Sequence, residues 1–156
     1  MTVPRAEAAE LVARWQSAGE RVVFTNGCFD LIHAGHVRYL QAARDLGDRL
    51  IVGLNSDRSV RELKGAGRPI SPERERAEVL AALRSVDAVL VFDERTATET
   101  LLALRPDVYA KGGDYTPDSL PETPAAREVG ATIEILAFHE GRSTTQLIET
   151  IRSIGA

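Results

Sequence analysis

Five short β-branched and aromatic runs alternate with stretches of helical periodicity, which predicts an α/β chain: a five-stranded parallel sheet with helices on both faces. Two further observations bound that class. At 156 residues and 44% hydrophobic, the chain suits one compact domain over 1–156, with an N-terminal helix in 1–20 and the core in 21–156. No internal repeat, low-complexity tract or linker interrupts the series.

Residues 5–18 place Ala8, Leu11, Val12 and Trp15 at helical spacing, and Gly19 stops the helix. Arg21–Thr25 reads as a strand running into the turn Asn26–Asp30. Val37, Leu40, Ala43 and Leu46 mark a helix from His33, closed by Gly47. Strand Arg49–Asn55, a short helix near Arg58–Leu63 and the polar loop Lys64–Pro69 follow. Ser71-Pro72 resembles an N-cap with proline at the first helical position, opening a helix to about Arg84. Strand Ala88–Phe92, helix Thr96–Leu104, strand Asp107–Ala110, a loop and short helix to Val129, strand Thr132–Ala137 and helix Thr144–Ile154 complete the chain. Parallel strands need right-handed crossovers, so the predicted class is Rossmann-like, with ligands beyond the carboxyl ends of the strands. Chemistry is therefore expected after Thr25, Asn55, Ala110 and Ala137.

Composition excludes several function classes. A net charge of −4 offers no basic field for a polyanion, so nucleic acid is not expected as a partner. No apolar run approaches the roughly 20 residues of a membrane span, and the N-terminus lacks a signal-peptide core. A cytoplasmic protein is expected. The single cysteine, Cys28, can form neither an internal disulfide nor a thiolate zinc cluster. Of the nineteen basic residues only Lys64 and Lys111 are lysines, which draws attention to places where a compact ammonium stands instead of a guanidinium.

The most informative segment is Gly27-Cys28-Phe29-Asp30-Leu31-Ile32-His33-Ala34-Gly35-His36, directly after the first strand. His33 and His36 are three residues apart, so on a first helical turn they share a face. Gly35 removes a β-carbon where a ligand approaches the backbone, and the helix start adds unpaired N–H groups suited to phosphate. Two imidazoles there can donate to oxygens that gain charge when a phosphorus is attacked. Metal binding, with Asp30 as a third ligand, and plain solvated histidines are the alternatives.

This segment resembles the G-x-F-D-x-x-H-x-G-H signature of the cytidylyltransferase-like nucleotidyltransferases, and the resemblance runs from about Val22 to Ile151. It implies in-line displacement of pyrophosphate from a nucleoside triphosphate without a covalent enzyme intermediate, with His33 and His36 on the triphosphate. Gly141-Arg142-Ser143-Thr144-Thr145 matches the family's second signature, at the start of the last helix. Taken alone, such a run is more often a plain helix cap; paired with the first signature it becomes specific. Lys64 resembles the lysine that bridges the reacting phosphates, so His33, His36 and Lys64 form the catalytic set.

The same resemblance assigns Thr25, Asn26, Gly27, Cys28, Phe29 and Gly35 to the nucleotide, with Lys111, Gly112, Ser143, Thr144 and Thr145. Asn55, Asp57, Asp114 and Tyr115 are assigned to the acceptor; Asp57 also suits a plain helix N-cap, and Arg74 and Arg76 suit either an anion or surface ion pairs. Mg²⁺ is expected with the triphosphate and no dedicated protein metal site. Within the family, Lys111–Tyr115 and Ser143–Thr145 resemble most the heptose-1-phosphate adenylyltransferase branch. ATP and a sugar 1-phosphate are then the substrates, a separate sugar kinase acts upstream, and a homodimer is possible. The alternatives are a glycerol-3-phosphate cytidylyltransferase, whose usual arginine is replaced here by Phe138, and a nucleotide-binding regulatory module without turnover.

Overall fold

The computed structural model describes residues 1–137 and 143–155. Its strands are β1 (Val22–Gly27), β2 (Arg49–Asn55), β3 (Ala88–Phe92), β4 (Val108–Gly112) and β5 (Thr132–Leu136). All pair in parallel, in the order β3-β2-β1-β4-β5. The chain builds outward from β1 to β3 and then returns to lay β4 on the other side of β1. The strand order reverses between β1 and β4, and a crevice opens at their carboxyl ends, as such sheets require.

The helices are α1 (Arg5–Ser17), α2 (Ala34–Arg44), α3 (Asp57–Lys64), α4 (Glu73–Ala81), α5 (Thr98–Leu104), α6 (Thr123–Glu128) and α7 (Thr144–Ile154), with a 3-10 turn at Pro117–Ser119. Strand alternation sorts them onto two faces. Val22, Phe24, Ile51, Leu90 and Tyr109 pack with Leu11 and Val12 of α1, Leu101 of α5 and Ala126 of α6. Val23, Leu50, Val52, Val89 and Ala110 pack with Leu40 and Ala43 of α2 and Leu80 of α4. Every residue of β2 after Arg49 is buried, the near-continuous apolar reading expected of a parallel strand covered on both sides.

Several boundaries differ from expectation. Strands β1 and β4 each continue two residues further, because Asn26 and Gly27 pair with Gly53 and Leu54, and Lys111 and Gly112 with Ile135 and Leu136. The helix expected to start at Pro72 starts at Glu73: Pro72 is the N-cap residue, with no side-chain cap bond, while the Ser71 N–H donates to Asp30. Ser56, not Asp57, caps α3, accepting from the Ser59 N–H at 3.1 Å. The first three residues, outside any expected element, lie along β3 through reciprocal bonds of Val3 and Met1 with Val89 at 2.9 and 2.8 Å. Among the described residues no helix is long and apolar enough to cross a membrane.

Candidate active site

The turn after β1 is set by close contact. A β-carbon on Gly27 would lie 2.9 Å from the Phe29 ring, so only glycine fits unless that ring moves. Phe29 takes φ = 44°, a left-handed conformation that costs a non-glycine residue about 1–3 kcal/mol. Burial of its ring offsets that strain, and the ring meets His36 edge-on at 5.4 Å between centroids. The turn thus aims the chain so that α2 begins with its two histidines at the crevice.

His33 is the N-cap of α2, and the two imidazoles complete the cap reciprocally. The Gly35 N–H donates to His33 Nδ1 at 3.1 Å, and the His33 N–H donates to His36 Nδ1 at 3.3 Å. Each Nδ1 is therefore an acceptor, which leaves the ring proton of the neutral form on Nε2. Burial lowers the pKa of His33, and burial followed by the neighbouring His33 lowers that of His36 to about 4. Both rings are neutral near pH 7, each with one N–H to offer a ligand, and their centroids lie 3.9 Å apart with the planes tilted by 34°.

Lys111, at the end of β4, donates from Nζ to the Asn26 carbonyl at 3.3 Å, and the Tyr109 hydroxyl donates to Asn26 Oδ1 at 2.6 Å. Burial lowers the Lys111 pKa, and the charges of Glu122 and Cys28 offset only part of that. Asn55, at the end of β2, is held by its amide N–H to Ser59 Oγ at 2.9 Å. Asn26, Asn55 and Lys111 are thereby fixed at the carboxyl ends of β1, β2 and β4.

Asp30 has a structural occupation. Its buried carboxylate accepts from Arg68 Nε at 2.7 Å and from the Ile70 and Ser71 N–H groups at 2.8–2.9 Å. Burial alone would raise its pKa, but the two N–H groups and Arg68 outweigh that and hold it below the usual carboxylate range. It ties the 68–71 loop to the turn after β1. Arg76 does the corresponding work from α4. With 1% exposure it donates to the carbonyls of Ser71, Cys28 and Asn55 and to Asp57 Oδ1, at 2.7–2.9 Å. Surface ion pairing is thus the wrong reading of Arg76: it is an internal strap, and it occupies one oxygen of Asp57.

A cleft of about 940 Å³ lies over these strand ends. It gathers His33, Gly35, His36 and Lys64, and also Asn26, Gly27, Cys28 and Phe29. Asn55, Lys111 and Tyr115 line it, as do Ser143, Thr144 and Thr145 at the start of α7. Ser143 caps α7 by accepting from the Gln146 N–H at 3.1 Å, and Thr144 Oγ1 donates to the Leu31 carbonyl at 3.4 Å, joining α7 to the turn before α2. Thr25, Asp57, Gly112 and Asp114 do not line the cleft. Thr25 is wholly buried with its hydroxyl 2.6 Å from that of Tyr39, and Asp57 turns to Arg76. Phe138, Gly141 and Arg142 lie outside the described residues, as does His139.

The cleft also includes residues that the sequence reading did not single out: Arg68, Arg95, Thr96, Leu120, Pro121 and Glu122. Arg95 and Thr96 follow β3, the one strand end left out of the four expected loops although the same topological rule covers it; Leu120–Glu122 precede a short helix and carried no comparable signal.

A family model described as cytidylyltransferase-like matches residues 24–152. The chain is 56% identical over 147 residues to the bifunctional protein HldE of Koribacter versatilis, covering 94% of this chain and 30% of that protein. To the bifunctional protein HldE of Pelobacter propionicus it is 52% identical over 143 residues, covering 92% and 29%. The chain thus spans under a third of the length of these curated relatives. Among solved structures, the lipopolysaccharide core biosynthesis protein from Thermoplasma volcanium superposes with a TM-score of 0.63 at 27% identity, covering 80% of this chain and 100% of that one.

Proposed function

We propose that this chain, which belongs to the cytidylyltransferase-like family, is an adenylyltransferase that joins AMP from ATP to a sugar 1-phosphate, D-glycero-D-manno-heptose 1-phosphate, releasing pyrophosphate. The observation that carries the nucleotidyl transfer is the reciprocal cap of His33 and His36, which leaves two neutral Nε2–H donors at a cleft that also holds Lys64, Lys111 and the start of α7. An oxygen of the acceptor phosphate attacks the α-phosphorus, the bond from that phosphorus to the bridging β-phosphate oxygen breaks, and its electron pair leaves with pyrophosphate. The attacking oxygen is already ionised, so no general base is needed. The two imidazoles stabilise charge that develops on the phosphate oxygens. Lys64 neutralises the two reacting phosphates as a point charge, and the N–H groups and hydroxyls at the start of α7 hold the β- and γ-phosphates.

Nucleotidyltransferases generally use Mg²⁺ with the triphosphate. Among the described residues no group of three histidine, cysteine or acidic side chains could hold a metal, and Asp30 is fully engaged. This donor set suits an ion carried in by phosphate oxygens and water, which supplies charge neutralisation when bound. The heptose assignment draws on the Lys111–Tyr115 and Ser143–Thr145 segments and on the HldE relatives. A sugar-kinase activity outside these 156 residues would supply the acceptor, in the cytoplasm where ATP is abundant.

Pyrophosphate release with ATP, CTP and GTP, each paired with heptose 1-phosphate and with glycerol 3-phosphate, tests the assignment. ATP with heptose 1-phosphate is expected to be fastest, and EDTA is expected to abolish the reaction. A preference for CTP with glycerol 3-phosphate would overturn the substrate assignment.

A further inference from the structure

Glu122 is a buried acid with half of its carboxyl group unaccounted for. It stands at the N-cap of α6 with 3% exposure and lines the cleft. Oε1 accepts from the Ala97 N–H at 3.2 Å. Oε2 is buried with no hydrogen-bond partner among the described residues. Leaving such an oxygen unsatisfied is costly, and it calls for a partner that arrives with a ligand. The Tyr109 hydroxyl also lies within hydrogen-bonding reach of the Glu122 carboxyl group, but its one proton goes to Asn26 Oδ1 at 2.6 Å, and Lys111 Nζ donates to the Asn26 carbonyl.

The missing partner must be a donor, and a phosphate is excluded because it would set anion against anion. Direction follows from the reaction. In-line displacement puts the acceptor opposite the leaving pyrophosphate. The pyrophosphate side is the histidine rim, where α7 is joined to the turn before α2 through Thr144 and Leu31. Glu122 sits beyond the other face of the sheet, where α5 and α6 pack with α1. The part of the acceptor that reaches there, away from its phosphate, carries hydroxyl groups.

We propose that Glu122 is a specificity-determining residue that accepts a hydrogen bond through Oε2 from a hydroxyl of the sugar phosphate. This rests on the adenylyltransferase reading above. It gives the cleft a way to reject acceptors lacking that hydroxyl, since a buried acceptor without its donor discriminates far better than an apolar wall.

Glu122→Gln keeps the size of the side chain and an oxygen for the Ala97 N–H, but turns the free oxygen into an N–H₂ donor. With ATP and heptose 1-phosphate, the variant is expected to raise KM for the sugar phosphate about tenfold or more, with KM for ATP within twofold and an unchanged Tm. A series of deoxyheptose 1-phosphates is expected to contain one analogue that costs the wild type about tenfold and costs the variant far less. Unchanged KM for the sugar phosphate would overturn the assignment of Glu122 while wild-type turnover still upheld the function. A rise in KM for ATP alone would move Glu122 to the base and equally overturn it. No wild-type turnover with any sugar 1-phosphate would overturn the function itself, and this inference with it.

Discussion

The two rims of the cleft are built in opposite ways. The histidine rim is one continuous stretch, Gly27 to His36, in which each residue constrains the next: the missing β-carbon of Gly27 admits Phe29, the left-handed Phe29 turns the chain, and the imidazoles cap the helix they begin. The far rim is assembled from Arg95, Thr96 and Leu120–Glu122, brought together by the packing of α5 and α6. A local device writes itself into the sequence as a motif. An assembled one leaves only scattered residues, which is why the far rim is harder to read than the histidine rim.

The largest expected effect breaks the histidine rim. His36→Asn is expected to lower kcat by on the order of 10²–10³, the usual loss of one preorganised donor, while the Asn side-chain oxygen can still accept from the His33 N–H. Steady-state kinetics on a variant with wild-type Tm checks it, and unchanged kcat would remove His36 from the transition state. Next, Lys64→Ala is expected to cut kcat/KM roughly 10²-fold, with Lys64→Arg only partly restoring it, because a forked guanidinium does not substitute for a point charge. Near-normal kcat/KM in the alanine variant would return Lys64 to the solvated surface.

Arg76 separates scaffold from chemistry. Arg76→Met removes the strap joining Ser71, Cys28, Asn55 and Asp57 and leaves three carbonyls without their donor, so about 3 kcal/mol or more of stability should be lost in chemical denaturation. A loss below about 1 kcal/mol would mean that water replaces the guanidinium.

The smallest effect is a pH slope. The pKa of His36 is lowered to about 4 in the fold against an ordinary 6.5, so the unfolded chain binds the proton first as pH falls. Its contribution to stability is complete above pH 6.5 and is lost progressively as pH falls to about 4. The wild type should lose more stability over that window than His36→Asn does; parallel curves would refute the buried neutral ring.

Much of the fold was legible because its signals are local. Short β-branched and aromatic runs marked all five strands, and the β1–α2 turn stood out through its glycines and histidines. The ends of β1 and β4 did not, because Asn26, Gly27, Lys111 and Gly112 have little strand preference of their own and are extended by pairing with neighbours. Arg76 was unreadable for a related reason: its charge suggests surface, and only the tertiary arrangement supplies the carbonyls that let it be buried. Thr25 and Asp57 sit next to the right strands but turn their side chains to Tyr39 and Arg76, a choice that neither spacing nor composition reveals.

The central claim, a single direct transfer to the α-phosphorus with no covalent enzyme intermediate, is tested most directly by stereochemistry. The reaction is run with one diastereomer of ATPαS and heptose 1-phosphate, and the configuration at phosphorus in the ADP-sugar product is determined by ³¹P NMR. Inversion is the predicted result. Retention would require two displacements, and with them a nucleophile on the enzyme that this cleft is not expected to use.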